Sequence, residues 1–366
     1  MTFASKTEWG ILVGDQSKRV RLGGRFQGIL SHDNSKEVQD FYLRRTRLNF
    51  EFKHKNSTFF FDLRNDNANQ GDGGERSFNV GDGYWKIDLQ QYGINNIKLF
   101  RSKVDVSYSQ TSSSKHLLNP DRTTIAEHAS TFIVHNRRAV NAQINGNYKN
   151  LHYHIVASDG VQSSSLVDSK GNQVSGLDGQ KLTLGAKVRY FFIGDARKNK
   201  VQDTFYGLRE SFSVGIGHFV NNKINVLNSL GVVKSFSMNR ALTNVELSIA
   251  MSRLRFLAES FIFRDDIVGD LMNASNKEDI LGSSRGYYAQ MEYFITEKIA
   301  PYITLEEFNQ NTSLDDATLV ASTLGLNFYQ QVQMQRFGLA YQKSESGNDF
   351  GGQQNESIKV YFMLDF

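Results

Sequence analysis

The sequence predicts an all-β fold, a transmembrane antiparallel β-barrel of about 16 strands, on three observations. Apolar and polar residues alternate, with a period of two, in segments of roughly ten residues along the whole chain. Tight turns and long polar stretches separate these segments by turns, as when one rim of a barrel carries short connections and the other long ones. The last segment, through Ile358, Val360, Phe362 and Leu364, stops on an aromatic residue, Phe366.

Composition sets the bounds. Of the 366 residues only 39% are hydrophobic, and the mean hydropathy is −0.44. No run approaches the ~20 consecutive apolar residues of a membrane-spanning helix, which excludes a helical membrane protein. A barrel wall is compatible with such an average, because half of its residues face water. Two prolines against 27 Phe and 15 Tyr favour strands, since proline cannot donate to a ladder and aromatic side chains suit one. There is no cysteine, hence no disulfide framework and no thiolate chemistry. The 42 basic against 38 acidic residues are too nearly balanced for a nucleic-acid binder. No composition shift marks a boundary, so residues 1–366 are expected to form a single barrel. Residues 1–9 lack the apolar stretch of a secretory signal, so the numbering is expected to begin at a processed chain, with Met1 added.

Taken in order, the first segment sets Val20, Leu22, Phe26 and Leu30 against Arg19, Arg21, Arg25 and Gln27. The second sets Thr46, Leu48, Phe50 and Phe52 against Arg45, Arg47, Asn49, Glu51 and Lys53, and a turn near Lys55 leads to Phe59, Phe61 and Leu63 opposed by Asp62 and Arg64. Further apolar faces include Trp85, Ile87 and Leu89; Ile97 and Leu99; Leu184, Ala186 and Val188; Val245, Leu247 and Ile249; and Phe337, Leu339 and Tyr341. Stretches 223–233 and 299–307 complete the strand count. Long loops are expected at 65–83, 102–130, 158–180, 264–285, 309–317 and 343–355, with tight turns at 221–223 and 251–253. Tyr84-Trp85, Tyr190 to Phe192, Tyr287-Tyr288 and Tyr293-Phe294 fit an interfacial aromatic girdle.

The informative charges are Arg19, Arg21, Arg25, Arg45, Arg47 and Lys53, which share the polar faces of two adjacent strands. Two readings stay open. They line a lumen that guides anions, since arginine stays charged and its planar fork matches phosphate oxygens. Alternatively, they balance Glu51 and Asp62 in a lattice that stiffens the wall. Arg44 falls on the apolar side under strict alternation, so a bulge re-aims it or it snorkels at the rim. Arg137-Arg138 reads as a rim charge.

These residues also resemble a known family, the phosphate-selective porins O and P of Gram-negative outer membranes. The matching pieces are VRLGGRFQ (20–27), FYLRRTRLNF (41–50), IKL (97–99), SSK (113–115) with Arg122 beyond it, GYYAQ (286–290), TLGLN (323–327) and the closing alternation. The resemblance implies a trimeric, water-filled pore of 16 strands, narrowed by an inward-folded loop at about 102–130, that passes small anions such as phosphate. It implies contact with outer-membrane lipid and lipopolysaccharide. It places Arg25, Arg44 and Arg45 at the family's arginines, and Lys115 and Arg122 at basic residues of the constriction loop. One departure stands out: Phe100 occupies the place of a glycine at the loop's entrance.

No enzyme is expected, for there is no Gly-x-Ser-x-Gly elbow, no His-Glu-x-x-His and no phosphate-binding glycine loop. No cofactor is expected either. His152 and His154 share a strand face but lack a third ligand, and the Asp/Asn-rich stretch 62–75 offers at most weak calcium binding.

Overall fold

The computed structural model describes residues 11–14, 18–34, 37–68, 77–91, 93–112, 116–133, 139–159, 162–167, 173–179, 181–196, 210–227, 234–268, 283–312, 314, 316–331, 335–348 and 352–365. Its strands are β1 (Ile11–Gly14), β2 (Lys18–Asp33), β3 (Val38–His54), β4 (Ser57–Ala68), β5 (Asn79–Gln91), β6 (Ile94–Arg101), β7 (Val140–Tyr148), β8 (Leu151–Ser158), β9 (Gln162–Val167) and β10 (Gln173–Gly179). They continue with β11 (Thr183–Ile193), β12 (Ser211–Leu227), β13 (Lys234–Met251), β14 (Leu254–Val268), β15 (Ser284–Tyr293), β16 (Ile299–Asn309), β17 (Thr318–Gln331), β18 (Gln335–Ser346) and β19 (Gln354–Asp365). Two helices, α1 (Tyr108–Thr111) and α2 (Thr124–Phe132), lie between β6 and β7.

Sixteen of these strands, β2 to β8 and β11 to β19, form one closed antiparallel barrel. The ring closes where β19 pairs with β2, from Asp365↔Arg25 to Ser357↔Asp33. Short β1 extends the seam by pairing with β2 at Arg19–Leu22, and the β9–β10 hairpin rides on the far end of β12. Closure leaves no long unpaired edge, the condition for backbone in hydrocarbon.

Alternation decides which way each side chain points. Phe41, Phe59, Ile155, Leu184, Leu324 and Phe337 stand on the outer surface, where a water-soluble protein would bury them. Their neighbours Arg25, Arg45, Asp62, Lys187, Glu246 and Glu259 are enclosed instead. That inside-out distribution is what a lipid-facing wall around a polar interior requires.

Strands outrun the expected segments. Residues 65–68, 79–83, 264–268 and 343–346, expected in loops, continue β4, β5, β14 and β18. Ladder pairing persists there beyond the bilayer, where both faces meet water and alternation is no longer selected. The turn expected at 221–223 is a bulge inside β12, with Lys223 at φ 64°, and 223–227 belong to that strand. The 251–253 turn is present between β13 and β14. Of the expected girdle, Trp85, Tyr190, Phe192, Tyr287 and Tyr293 face outward, whereas Phe191, Tyr288 and Phe294 point inward and are buried; adjacent residues on a strand cannot share a face.

Candidate functional site

The described residues between β6 and β7 fold into the barrel and are tied to its wall at several points. Phe100, Val104 and Val106 are buried in one apolar cluster, which turns the chain inward without a glycine. Ser107 caps α1 by accepting from the Gln110 amide, and its hydroxyl donates to Glu259 of β14 at 2.8 Å. The Tyr108 amide and the Tyr288 hydroxyl donate to the same carboxylate. Helix α2 buries Ile125, Ala126, Ala129 and Phe132, and its Ile125 amide donates to Glu306 of β16 at 2.5 Å. Between the helices, side chains of the wall bind backbone carbonyls. Arg255 donates to that of His116, Arg336 to Leu117, Asn327 and Tyr361 to Leu118, and Arg45 to Pro120.

Two aspartates add ionic anchors. Asp121 pairs with Arg44 at 3.0 Å and Lys359 at 2.8 Å, and Asp105 with Arg189 at 2.9 Å and Lys187 at 3.3 Å. These cations hold both carboxyls well below the usual carboxylate range in spite of burial. His128, packed among Phe132, Phe263 and Phe308, is driven down to about 4 by burial and then by Arg240.

The loop therefore rests on the β11–β19 side, with Arg44 and Arg45 of β3 as further anchors, and leaves an open cavity of about 550 Å³ against β2–β6. Six basic residues line it (Arg21, Arg25, Arg47, Lys98, Lys103, Arg122), with five acidic ones (Glu51, Asp62, Asp82, Asp105, Asp365). Strand register sorts them into levels. At one level Asp365, Arg25, Arg47 and Arg64 lie side by side on four adjacent strands. Like charges directly opposite each other are destabilising, and here each arginine has an acid within reach: Arg25 to Asp365 at 2.8 Å, Arg47 to Asp66 at 3.1 Å and Arg64 to Asp82 at 3.8 Å. Six residues along each strand, ~20 Å away at 3.4 Å per residue, Arg19, Lys53, Lys86 and Lys98 share a second level on β2, β3, β5 and β6. Glu51 pairs with Arg19 and Asp88 with Lys86 there, so cations are in excess.

The expected site residues divide accordingly. Arg21, Arg25, Arg47 and Arg122 line the cavity; Arg19 and Lys53 belong to the second level. Arg122 also donates to the Ser109 and Ser112 carbonyls, bracing the loop. Arg44 and Arg45 both turn inward because of a bulge in β3, where Gln27 pairs with Arg45 and Gly28 with Leu43. They hold the loop rather than line the cavity, and Arg45 is 2% exposed. Lys115 and Arg137-Arg138 lie outside the described residues. His152 bonds Asn147 at 2.6 Å and His154 is enclosed near Asp105, and no metal-binding group exists among the described residues. Residues 62–68 of the stretch considered for calcium are strand, not loop, and 69–76 lie outside the described residues. Arg64 was placed on a polar face by the sequence but, like Lys98 and Lys103, was not among the expected site residues. Alternation was enough to turn Lys98 inward, between outward Ile97 and Leu99.

A closed barrel with a lipid-facing exterior and a loop-narrowed aqueous interior defines an outer-membrane porin of Gram-negative bacteria. The model of the family "Phosphate-selective porin O and P" matches residues 20–350, and the chain belongs to that family. No curated protein sequence matches it significantly. Among solved structures, the outer-membrane channel DcaP of Acinetobacter baumannii aligns with a TM-score of 0.64 at 11% identity, covering 98% of this chain and 100% of that one. Salmonella typhi OmpF aligns at 0.62 with 10% identity (97% and 100% covered), and a loop-deletion form of Vibrio cholerae OmpT at 0.61 with 7% (96% and 100%). At such identities the likeness concerns the fold.

Proposed function

We propose that this porin is a passive, non-catalytic channel for small hydrophilic solutes that prefers anions, phosphate-like ones included. It works without a cofactor, each chain forming one barrel of a homotrimer set in outer-membrane lipid and lipopolysaccharide. The observation that carries the preference is the row Arg25–Arg47–Arg64 beside the cavity, backed by the second cationic level. Fixed positive charge along an aqueous path raises the local concentration of anions. Acidic partners temper it, and the cavity's six cations against five anions argue for a modest preference. That near balance also favours the neighbouring reading, a general porin of weak selectivity. The open 550 Å³ cavity speaks against a plugged receptor barrel.

The test is block of chloride current by inorganic phosphate in planar bilayers, for the wild type and for R25Q/R47Q/R64Q. Block that weakens in the variant supports the reading. Block absent from both, with unselective conductance, supports the general porin, and no conductance at all supports a plugged barrel. Migration as a denaturant-resistant trimer checks the assembly.

A further inference from the structure

Between the two cationic levels one row of the lumen wall carries three aromatic rings, beside a polar row of Gly23, Asn49 and Asp62. At the level of Arg21 and Glu51, the register continues through Phe60, Tyr84 and Phe100 on three neighbouring strands, and all three line the cavity. Phe60 and Tyr84 stack at 4.9 Å between centroids, 16° from parallel, and both are only partly covered. The Lys98 ammonium sits 4.5 Å from the ring centres of both Tyr84 and Phe100. Lys103, at the start of the inward loop, lines the same cavity. A passage built for fully hydrated inorganic ions gains nothing from an apolar strip, because it offers no groups to replace hydration. An organic anion gains on both sides.

Resting on the proposed anion preference, we infer that this strip is a binding station for aromatic carboxylates. The carboxylate meets Lys98, and the ring attached to it then falls beside Tyr84 and Phe60, since that ammonium already touches the Tyr84 face. Glu51, the nearest carboxylate in the row, is engaged by Arg19 at 3.1 Å and so repels the solute less than an unpaired acid would. Phe100, whose ring centre lies 4.5 Å from the same ammonium, backs Lys98 and holds it toward the cavity. Aromatic faces and cations adjacent to one another select a solute that is apolar at one end and negative at the other.

The probe is benzoate, compared with acetate and inorganic phosphate, in single-channel recordings of the intact trimer. Benzoate is expected to interrupt chloride current at concentrations about tenfold lower than acetate. F60A and Y84A should each remove most of that advantage. F60L and Y84L keep the apolar volume and guard against a packing defect: they should retain part of the advantage, and normal trimer migration confirms folding. Equal block by benzoate and acetate, or a benzoate advantage that survives Y84A and F60A, overturns the inference. An anion-favouring reversal potential together with equal block sinks the aromatic station alone, whereas an unselective reversal potential sinks the anion preference beneath it.

Discussion

At the residue scale, one side chain can serve the wall, the loop or the path, and the three uses have different signatures. Arg44 pairs with Asp121 and Arg45 donates to Pro120, so these arginines belong to the loop's anchorage. Replacing Asp121 with Asn removes the counter-charge of Arg44 and Lys359 together. Loop docking should weaken by ~2 kcal/mol, as for loss of charge-assisted bonds, and single-channel current should become noisier with altered mean conductance. Arg64→Gln, by contrast, removes a charge paired with Asp82 of β5 and should lower the anion-to-cation permeability ratio about twofold, the scale expected of one partly compensated charge; bi-ionic potentials measure this. At the same scale, two lumen tyrosines rest on glycines of the adjacent strand. A Cβ at Gly325 or Gly338 would come within 2.3 or 2.2 Å of the Tyr302 or Tyr361 ring. Gly338→Val should displace Tyr361, whose hydroxyl donates to the Leu118 carbonyl at 3.1 Å, and lower the thermal midpoint of the barrel; overpacking of this kind costs ~1–3 kcal/mol.

At the element scale, the inward segment responds to acid in one direction. Asp105 and Asp121 have lowered values in the docked loop, so their contribution is full above the ordinary carboxylate range and declines as pH falls below that range toward the lowered values. His128 is lowered from 6.5 to about 4, so the undocked loop takes up a proton first as pH falls below 6.5, and docking weakens between 6.5 and 4. All three shifts have the same sign. Cleavage of the loop by an acid-tolerant protease such as pepsin should therefore be negligible at pH 5.5 and rise steeply by pH 3, and H128F should move the onset to lower pH. This element was only partly legible in the sequence. A long polar loop at 102–130 followed from the residues, and its inward folding was implied by the family resemblance. Its docking followed from neither, because Glu259, Glu306, Arg255 and Arg336 lie more than a hundred residues away and their inward aim depends on which strands face the loop. Phe100 stood out as a departure at the loop's entrance, and it is buried in one cluster with Val104 and Val106 where the chain turns inward.

At the scale of the whole molecule, the barrel was the most legible feature, since period-two alternation is imposed by lipid on one side and water on the other at every strand. The outward residues Val20, Leu48, Leu324, Leu339 and Val360 read directly as one face. Strand ends were less legible, because above the bilayer pairing continues after alternation stops, as in β12 and β14. Least legible were the rows that cross strands: Arg25, Arg47 and Arg64 are spread over 40 positions of sequence, and only the register brings them level. The same register places the aromatic strip between two cationic levels and gives the pore its proposed order along the path: cation, aromatic, cation.

The most direct test of that electrostatic order is the zero-current potential of the purified protein across a tenfold KCl gradient in a planar bilayer. A potential whose sign corresponds to chloride permeating faster than potassium, reduced toward zero in R25Q/R47Q/R64Q, is the predicted result. A potential at zero or of cation-selective sign in the wild type would contradict an anion-preferring pore.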